Sequence, residues 1–234
     1  MRSHRVDVAV FAIALAIVGL VALALVWSGD WAYAALAKAA GGTSTTILVP
    51  RQPDGSRVEA TANIDTWIGW HHAWASYVIG AAANPPIAYG TGPIFTSDEY
   101  AHMADVRSVF RGAETVAVLA LGIVAFRLTR ARGQRRATML VRDASLAAAG
   151  IVLIVGIAAA LAFDPLFLLF HEVFFPQGNF LFDPATSNLL RLYPEWYWQG
   201  ITAGVGVSFI GLALIGAAAS NMALGRAATY TRAA

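Results

Sequence analysis

His102 and His171 are the side chains of this sequence best suited by type and setting to move a proton, because imidazole titrates near neutral pH without help from its surroundings. Both have carboxylates close by in sequence. Glu99, His102 and Asp105 recur at steps of three, which lines them along one face of a helix. Asp164 and His171 are seven residues apart and face the same way if a helix runs on through Pro165, although two turns, roughly 10 Å, then separate them. Glu172 follows His171 directly, and Asp183 and Arg191 lie further along the same segment. Arg191 suits either a lipid headgroup or developing oxyanion, or plain anchoring at a membrane surface. The set permits acid–base catalysis or a transient acyl-histidine. It also permits a zinc site built from His102, Asp105, His171 and Glu172 with one open position. His4, His71 and His72 read as hydrogen-bonded interface residues.

Much other chemistry is excluded by what the chain lacks. It has no cysteine, so no disulfide, thiol nucleophile, lipidated cysteine or thiolate metal site can form. Its one lysine, Lys38, follows no glycine-rich turn, so a phosphate-binding loop is absent and no nucleotide is expected. Neither a Gly-x-Ser-x-Gly elbow nor a His-Glu-x-x-His pair occurs. No cofactor and no resident metal are expected.

The elements that must position the histidines follow from hydropathy. The chain is 58% hydrophobic and 13% charged, far more apolar than a soluble domain. Four apolar runs reach the roughly 20 residues that cross a hydrocarbon core: about 6–27, 112–128, 144–170 and 200–220. The expected fold is an all-α integral membrane protein, a single membrane domain over 1–234. It has four transmembrane helices, and interfacial helices in two extracytoplasmic loops at about 28–111 and 171–199. Arg127, Arg130, Arg132, Arg135, Arg136 and Arg142 crowd the second connection, and Arg2 and Arg5 precede the first run. Arg226 and Arg232 follow the last. The positive-inside rule puts these ends and both termini in the cytoplasm. The arginines flank spans rather than forming an exposed basic face with interleaved aromatics, so the net charge of +2 signals topology and not nucleic-acid binding. A cleaved signal peptide competes at the N-terminus, where Ala35-Leu36-Ala37 follows the apolar run. That run exceeds the roughly 7–15 residues of a signal core, and its removal would set both loops against the arginine pattern, so retention as a span is expected.

Within the outer loops, Ala40 to Ser56 is rich in turn formers and predicts an irregular stretch or small hairpin. Ile64, Trp67, Ile68, Trp74, Tyr77 and Val78 predict an interfacial helix that Asn84-Pro85-Pro86 stops. Its surface suits plain anchoring or substrate contact. Thr96 and Glu99 have capping-box spacing and start the helix bearing His102. The aromatic, proline-rich stretch 178–198 is expected to lie in the membrane interface. Gly200 and Gly204 form a small-xxx-small pair for close helix packing.

The run Phe95-Thr96-Ser97-Asp98-Glu99-Tyr100-Ala101-His102-Met103-Ala104-Asp105-Val106-Arg107 is joined by Phe170-His171-Glu172-Val173-Phe174-Phe175, Leu181-Phe182-Asp183-Pro184 and Tyr193-Pro194-Glu195. In order, spacing and four-span topology this set resembles the bacterial lipoprotein intramolecular transacylase family, Lit, over nearly the whole chain. The resemblance implies transfer of an acyl chain from the sn-2 ester of a diacylglyceryl-modified lipoprotein to the amine of its N-terminal cysteine, giving a lyso-form lipoprotein. It implies that His102 and His171 are catalytic. Glu99, Asp105, Asp164, Glu172, Asp183 and Arg191 become candidates for orienting them or binding substrate. The implied partners are the lipoprotein and membrane lipids, in the bacterial cytoplasmic membrane with an extracytoplasmic active site. Ester-to-amide transfer is downhill, and donor and acceptor share one molecule, so positioning alone supplies much of the catalysis. A metal-dependent membrane hydrolase and a non-catalytic membrane scaffold remain the alternatives.

Overall fold

Eight helices and one hairpin make up the described chain, which in this computed structural model comprises residues 2–42, 44–50, 57–86, 93–131 and 133–233. The expected turn residues Pro53 to Ser56, and Arg132, lie outside it. In order, the elements are α1 (Arg2–Trp27), α2 (Asp30–Ala39), β1 (Ser44–Pro50), β2 (Arg57–Asn63), α3 (Ile64–Val78), α4 (Ser97–Arg130), α5 (Gln134–Leu161), α6 (Phe163–Phe174), α7 (Asn188–Leu192) and α8 (Glu195–Ala233). Among the described residues α1, α4, α5 and α8 are long and apolar enough to cross a membrane.

The chain divides into two compact units. The first comprises Met1–Ala24, Ala113–Leu161 and Ala203–Ala234. Its core consists of small and aromatic side chains on three helices, with Phe11, Ala12, Ala144, Ala148, Phe209 and Ala213 buried together. Gly19 lets Phe209 approach so closely that an added Cβ would sit 2.5 Å from its ring. Arg127 pairs with Asp7, and His4 Nε2 lies 3.1 Å from Asp143.

The second unit, Leu25–Gly112 with Ala162–Thr202, holds both candidate catalytic histidines. The small hairpin predicted from the turn formers is present and runs further than they indicated: β1 and β2 pair antiparallel from Ser44↔Asn63 to Pro50↔Arg57. Asn63 then caps α3 by accepting from the Thr66 N–H at 2.9 Å. The prolines do not stop α3. It ends at Val78, with Ile79 as C-cap and Gly80 at φ +76, the left-handed position a glycine takes most readily. Its tryptophans are also placed differently from the interfacial expectation. Trp67, Trp70 and Trp74 are buried in the unit's own core with Phe95, Leu189, Leu192 and Tyr193. A helical aromatic stripe has the same spacing whether lipid or protein covers it, so periodicity alone cannot separate the two. The 178–198 stretch likewise folds into that core through α7.

The third predicted run is two helices rather than one span over 144–170. A helix continuing through Pro165 would drive the proline ring into the carbonyl of Leu161, four residues back, and α5 ends at Leu161. Ala162 leaves helical geometry at φ −145, ψ 50, and α6 restarts with Pro165 in its first turn, where no N–H is needed. The second span, in contrast, is the far part of α4. The capped helix carrying His102 runs without interruption into the apolar stretch beginning near Gly112.

Gly19→Val should lower thermal stability in detergent by about 1–3 kcal/mol, the usual cost of overpacking a filled site. Gly122→Ala, whose Cβ meets nothing within 4 Å, should leave stability unchanged or slightly raised. Equal melting temperatures for Gly19→Val and the parent would show that the α1–α8 contact is not as tight as described.

Candidate active site

Thr96 and Glu99 close the capping box that the sequence predicts. Glu99 N–H donates to Thr96 Oγ1 at 3.2 Å, and Thr96 N–H donates to Glu99 Oε2 at 2.7 Å. Glu99 does more than the sequence indicates, because its other oxygen accepts from Ser187 Oγ at 2.6 Å and from the Leu189 N–H at 2.7 Å. The carboxylate is fully buried and serves the first turns of both α4 and α7. A buried charge is tolerated when donors surround it, and helix N-termini favour a negative one.

One turn along α4 comes His102, 7% exposed, and one further turn comes Asp105. Asp105 Oδ2 accepts from Gln177 Nε2 at 2.7 Å and Asn179 Nδ2 at 2.6 Å, drawing the loop after α6 onto α4. His171 is on α6, and its Nδ1 lies 2.8 Å from the Phe167 carbonyl. A carbonyl only accepts, so Nδ1 carries a proton. The His102 and His171 rings lie 6.1 Å apart between centroids and within 18° of parallel. The sequence separates them by 69 residues; the fold brings them within reach of one small reacting group.

Aromatic rings enclose the pair. Phe175 and Phe182 pack on His102 at 4.7 and 5.5 Å, and Phe167 and Phe180 pack on His171 at 4.3 and 5.1 Å. α4 is about 50 Å long at 1.5 Å per residue, far more than a bilayer core needs. The turns before Gly112, His102 included, carry Asp98, Glu99, Asp105, Arg107 and Arg111, so they are not the apolar stretch suited to a bilayer core. Burial pushes the His102 pKa down to about 4, and the neighbouring His171 adds to this. The Asp105 charge and the neighbouring Asn179 side chain oppose it without winning. His102 is thus a neutral imidazole at physiological pH.

The other predicted site residues divide by location. Asp164, in the first turn of α6, and Glu172 are exposed. Asp183 Oδ1 accepts from the Ala185 N–H at 2.9 Å and closes the turn leading to Ser187. Arg191 grips the hairpin, donating to Thr46 Oγ1 at 2.6 Å and Glu59 Oε1 at 3.1 Å. Among the described residues, no three histidine or carboxylate side chains converge as metal ligands would, so the zinc grouping of His102, Asp105, His171 and Glu172 is not assembled. His71 is a core residue: Nε2 donates to the Ser28 carbonyl at 3.0 Å, Nδ1 meets Tyr193 Oη at 3.3 Å, and burial lowers its pKa. His72 is exposed and pairs with Asp30 at 2.9 Å.

Sequence reasoning missed Gln177, Asn179 and Asn188. Asn188 is wholly buried and takes the place of a β-strand neighbour: its Oδ1 accepts from the Leu48 N–H at 2.9 Å, and its Nδ2 donates to the Leu48 carbonyl at 2.8 Å. Gln177 and Asn179 flank Gly178 and look like ordinary turn formers. Only the position of Asp105 gives them a partner.

A family model described as lipoprotein intramolecular transacylase Lit matches residues 80–198, just over half the chain and the stretch holding both histidines. The chain belongs to this family. Among solved structures, the membrane integral Lit transacylase of Bacillus cereus superposes with a TM-score of 0.62 at 15% identity, covering 100% of this chain and 99% of that one. A histidine-to-arginine variant of the same protein superposes with a TM-score of 0.64 at 14% identity, covering 98% and 95%. At that identity the likeness establishes the shared fold, and with four apolar helices it identifies a multi-pass membrane protein. Curated proteins give no match. As a Lit member, the chain is a transacylase of lipoprotein maturation.

Glu99→Gln keeps the shape of the side chain but turns an amide donor towards groups that themselves donate. It should cost about 1–3 kcal/mol, the price of leaving a buried donor unpaired, read as a lower melting temperature. An unchanged melting temperature would remove the double cap from this account. For His102, the folded pKa near 4 lies below the 6.5 of the unfolded chain. The unfolded state therefore takes up the proton first. Its contribution to stability is whole above about pH 6.5 and is lost as pH falls towards 4. A titration of the His102 ring followed by NMR should find its midpoint nearer 4 than 6.5.

Proposed function

We propose that this Lit member moves the sn-2 acyl chain of a diacylglyceryl-modified lipoprotein to the amino group of its N-terminal cysteine, with His102 and His171 as the catalytic pair. The observation that carries the reading is the pair itself: two near-parallel imidazoles 6.1 Å apart inside an aromatic enclosure. An α-amino group titrates near 7.7–8.0 and is largely an ammonium at neutral pH. To become an amide nitrogen it must shed two protons, and two imidazoles in their neutral form are the matching acceptors. One takes the proton that frees the lone pair. The other takes the second as the N–C bond forms, and one of the two imidazolium ions returns its proton to the sn-2 oxygen as the C–O bond breaks. The remaining proton leaves to solvent, and the product is the lyso-form lipoprotein.

The surroundings favour the same reading. α6 exposes Leu166, Leu169, Phe170, Val173 and Phe174 beside His171, a face suited to hydrocarbon chains. The arginine distribution supports a bacterial cytoplasmic membrane with both termini and the α4–α5 connection inside, and hence with the histidines on the outer face. His171 Nε2 is free to act as base because its Nδ1 is already engaged.

Lipoprotein incubated with the purified enzyme should keep its mass while the acyl group migrates to the amine, as read by mass spectrometry of the N-terminal peptide. His102→Ala, His171→Ala and the double variant should each lose transfer to nearly the same extent, since groups acting on one step are strongly non-additive. Loss of one acyl chain to water would instead make the enzyme a hydrolase. Near-parent transfer by either folded single variant would remove that histidine from the reaction.

A further inference from the structure

Two buried polar atoms beside the reaction site lack a hydrogen bond of good geometry, His102 Nδ1 and Asn179 Oδ1. They belong to neighbouring side chains, one with a proton to place and the other with lone pairs to fill. The orientation of its carboxamide is set from the far side: Nδ2 donates to Asp105 Oδ2 at 2.6 Å, and a carboxylate accepts only. With Nδ2 so engaged, Oδ1 is the atom left for His102.

We propose that Asn179 is a positioning residue that, oriented by Asp105, holds the proton of neutral His102 on Nδ1 and leaves Nε2 as its basic nitrogen. An isolated neutral imidazole has no such constraint, and the wrong tautomer would present a proton where a lone pair is needed. His171 obtains the same state differently, through the Phe167 carbonyl one helical turn back. Both rings therefore offer Nε2 to the reacting amine, one ordered by backbone and the other by an Asp105–Asn179 chain. The amide between carboxylate and ring has a purpose. A carboxylate directly on His102 would favour the imidazolium, whereas a neutral carboxamide fixes the proton and adds little charge.

This rests on the reading of His102 as catalytic, and the test separates the two. In histidine-labelled enzyme, ¹⁵N NMR of the His102 ring, assigned by its loss in His102→Ala, reports which nitrogen bears the proton, independently of turnover. The native enzyme should show Nδ1–H. Asn179→Ala should move the proton to Nε2 or split it between the nitrogens, with transfer kcat falling on the order of 10-fold or more and KM little changed. Asp105→Asn is nearly isosteric and should disturb the tautomer in the same direction, which keeps the test decisive if Asn179→Ala does not fold. Gln177→Ala removes the other partner of Asp105 but not its bond to Asn179, and should leave the tautomer as in the parent. A native ring protonated on Nε2, or a tautomer unchanged in Asn179→Ala and Asp105→Asn, would overturn the proposal. The expected tautomer in an enzyme with no acyl transfer would overturn the catalytic reading and leave the positioning intact.

Discussion

One carboxylate sets the arrangement of the second unit. Glu99 is buried without exposure, and an ion there is stable only while donors hold it. Its donors come from two stretches just over ninety residues apart: the backbone of Thr96, and the hydroxyl of Ser187 with the backbone of Leu189. Satisfying the charge therefore fixes the start of α4 against the start of α7. His102 follows one turn after the clamp. From Ser187 the chain runs back through Phe182, Phe180 and Asn179 to α6 and His171. The distance between the imidazoles is thus a consequence of where one buried negative charge finds its hydrogen bonds.

Asp105, Asn188 and Arg191 extend the same logic. Each bonds groups far away in sequence: Asp105 holds the loop after α6 on α4, and Asn188 and Arg191 hold α7 on β1. The aromatic core between them supplies most of the burial but little direction, because hydrophobic contact is nearly orientation-free. The polar ties give the loops their register. Around the histidines the balance reverses: rings from four phenylalanines remove water, and the resulting low polarity keeps His102 uncharged.

The membrane fold was largely legible because runs of apolar residues are a strong local signal, and α1, α4, α5 and α8 fall where those runs lie. The capping box was legible for the same reason, since its two members are three residues apart. The break at Ala162 was missed although Pro165 signals it, because span length was given more weight than the clash of a proline with the carbonyl four residues back. The helix Asp30–Ala39 was also missed, since at 10 residues it offers only a short pattern set among alanines. The tryptophans of α3 are covered by protein, which the sequence could not show because burial by protein and burial by lipid leave the same pattern. At the site, both histidines were found by type and by resemblance. Gln177 and Asn179 were not, since their roles exist only once Asp105 is seen across the fold.

Gly178 lies between the two amides that grip Asp105, at φ +76, so the chain reverses within one residue and both side chains return to a single oxygen. Such a loop is measured in residues rather than in polarity. Its composition can drift wherever side chains point outward, but one residue added between Gln177 and Asn179 leaves the carboxylate reachable by only one of them. Divergent branches of the family that keep this grip would be expected to vary in spelling here and to hold a constant count.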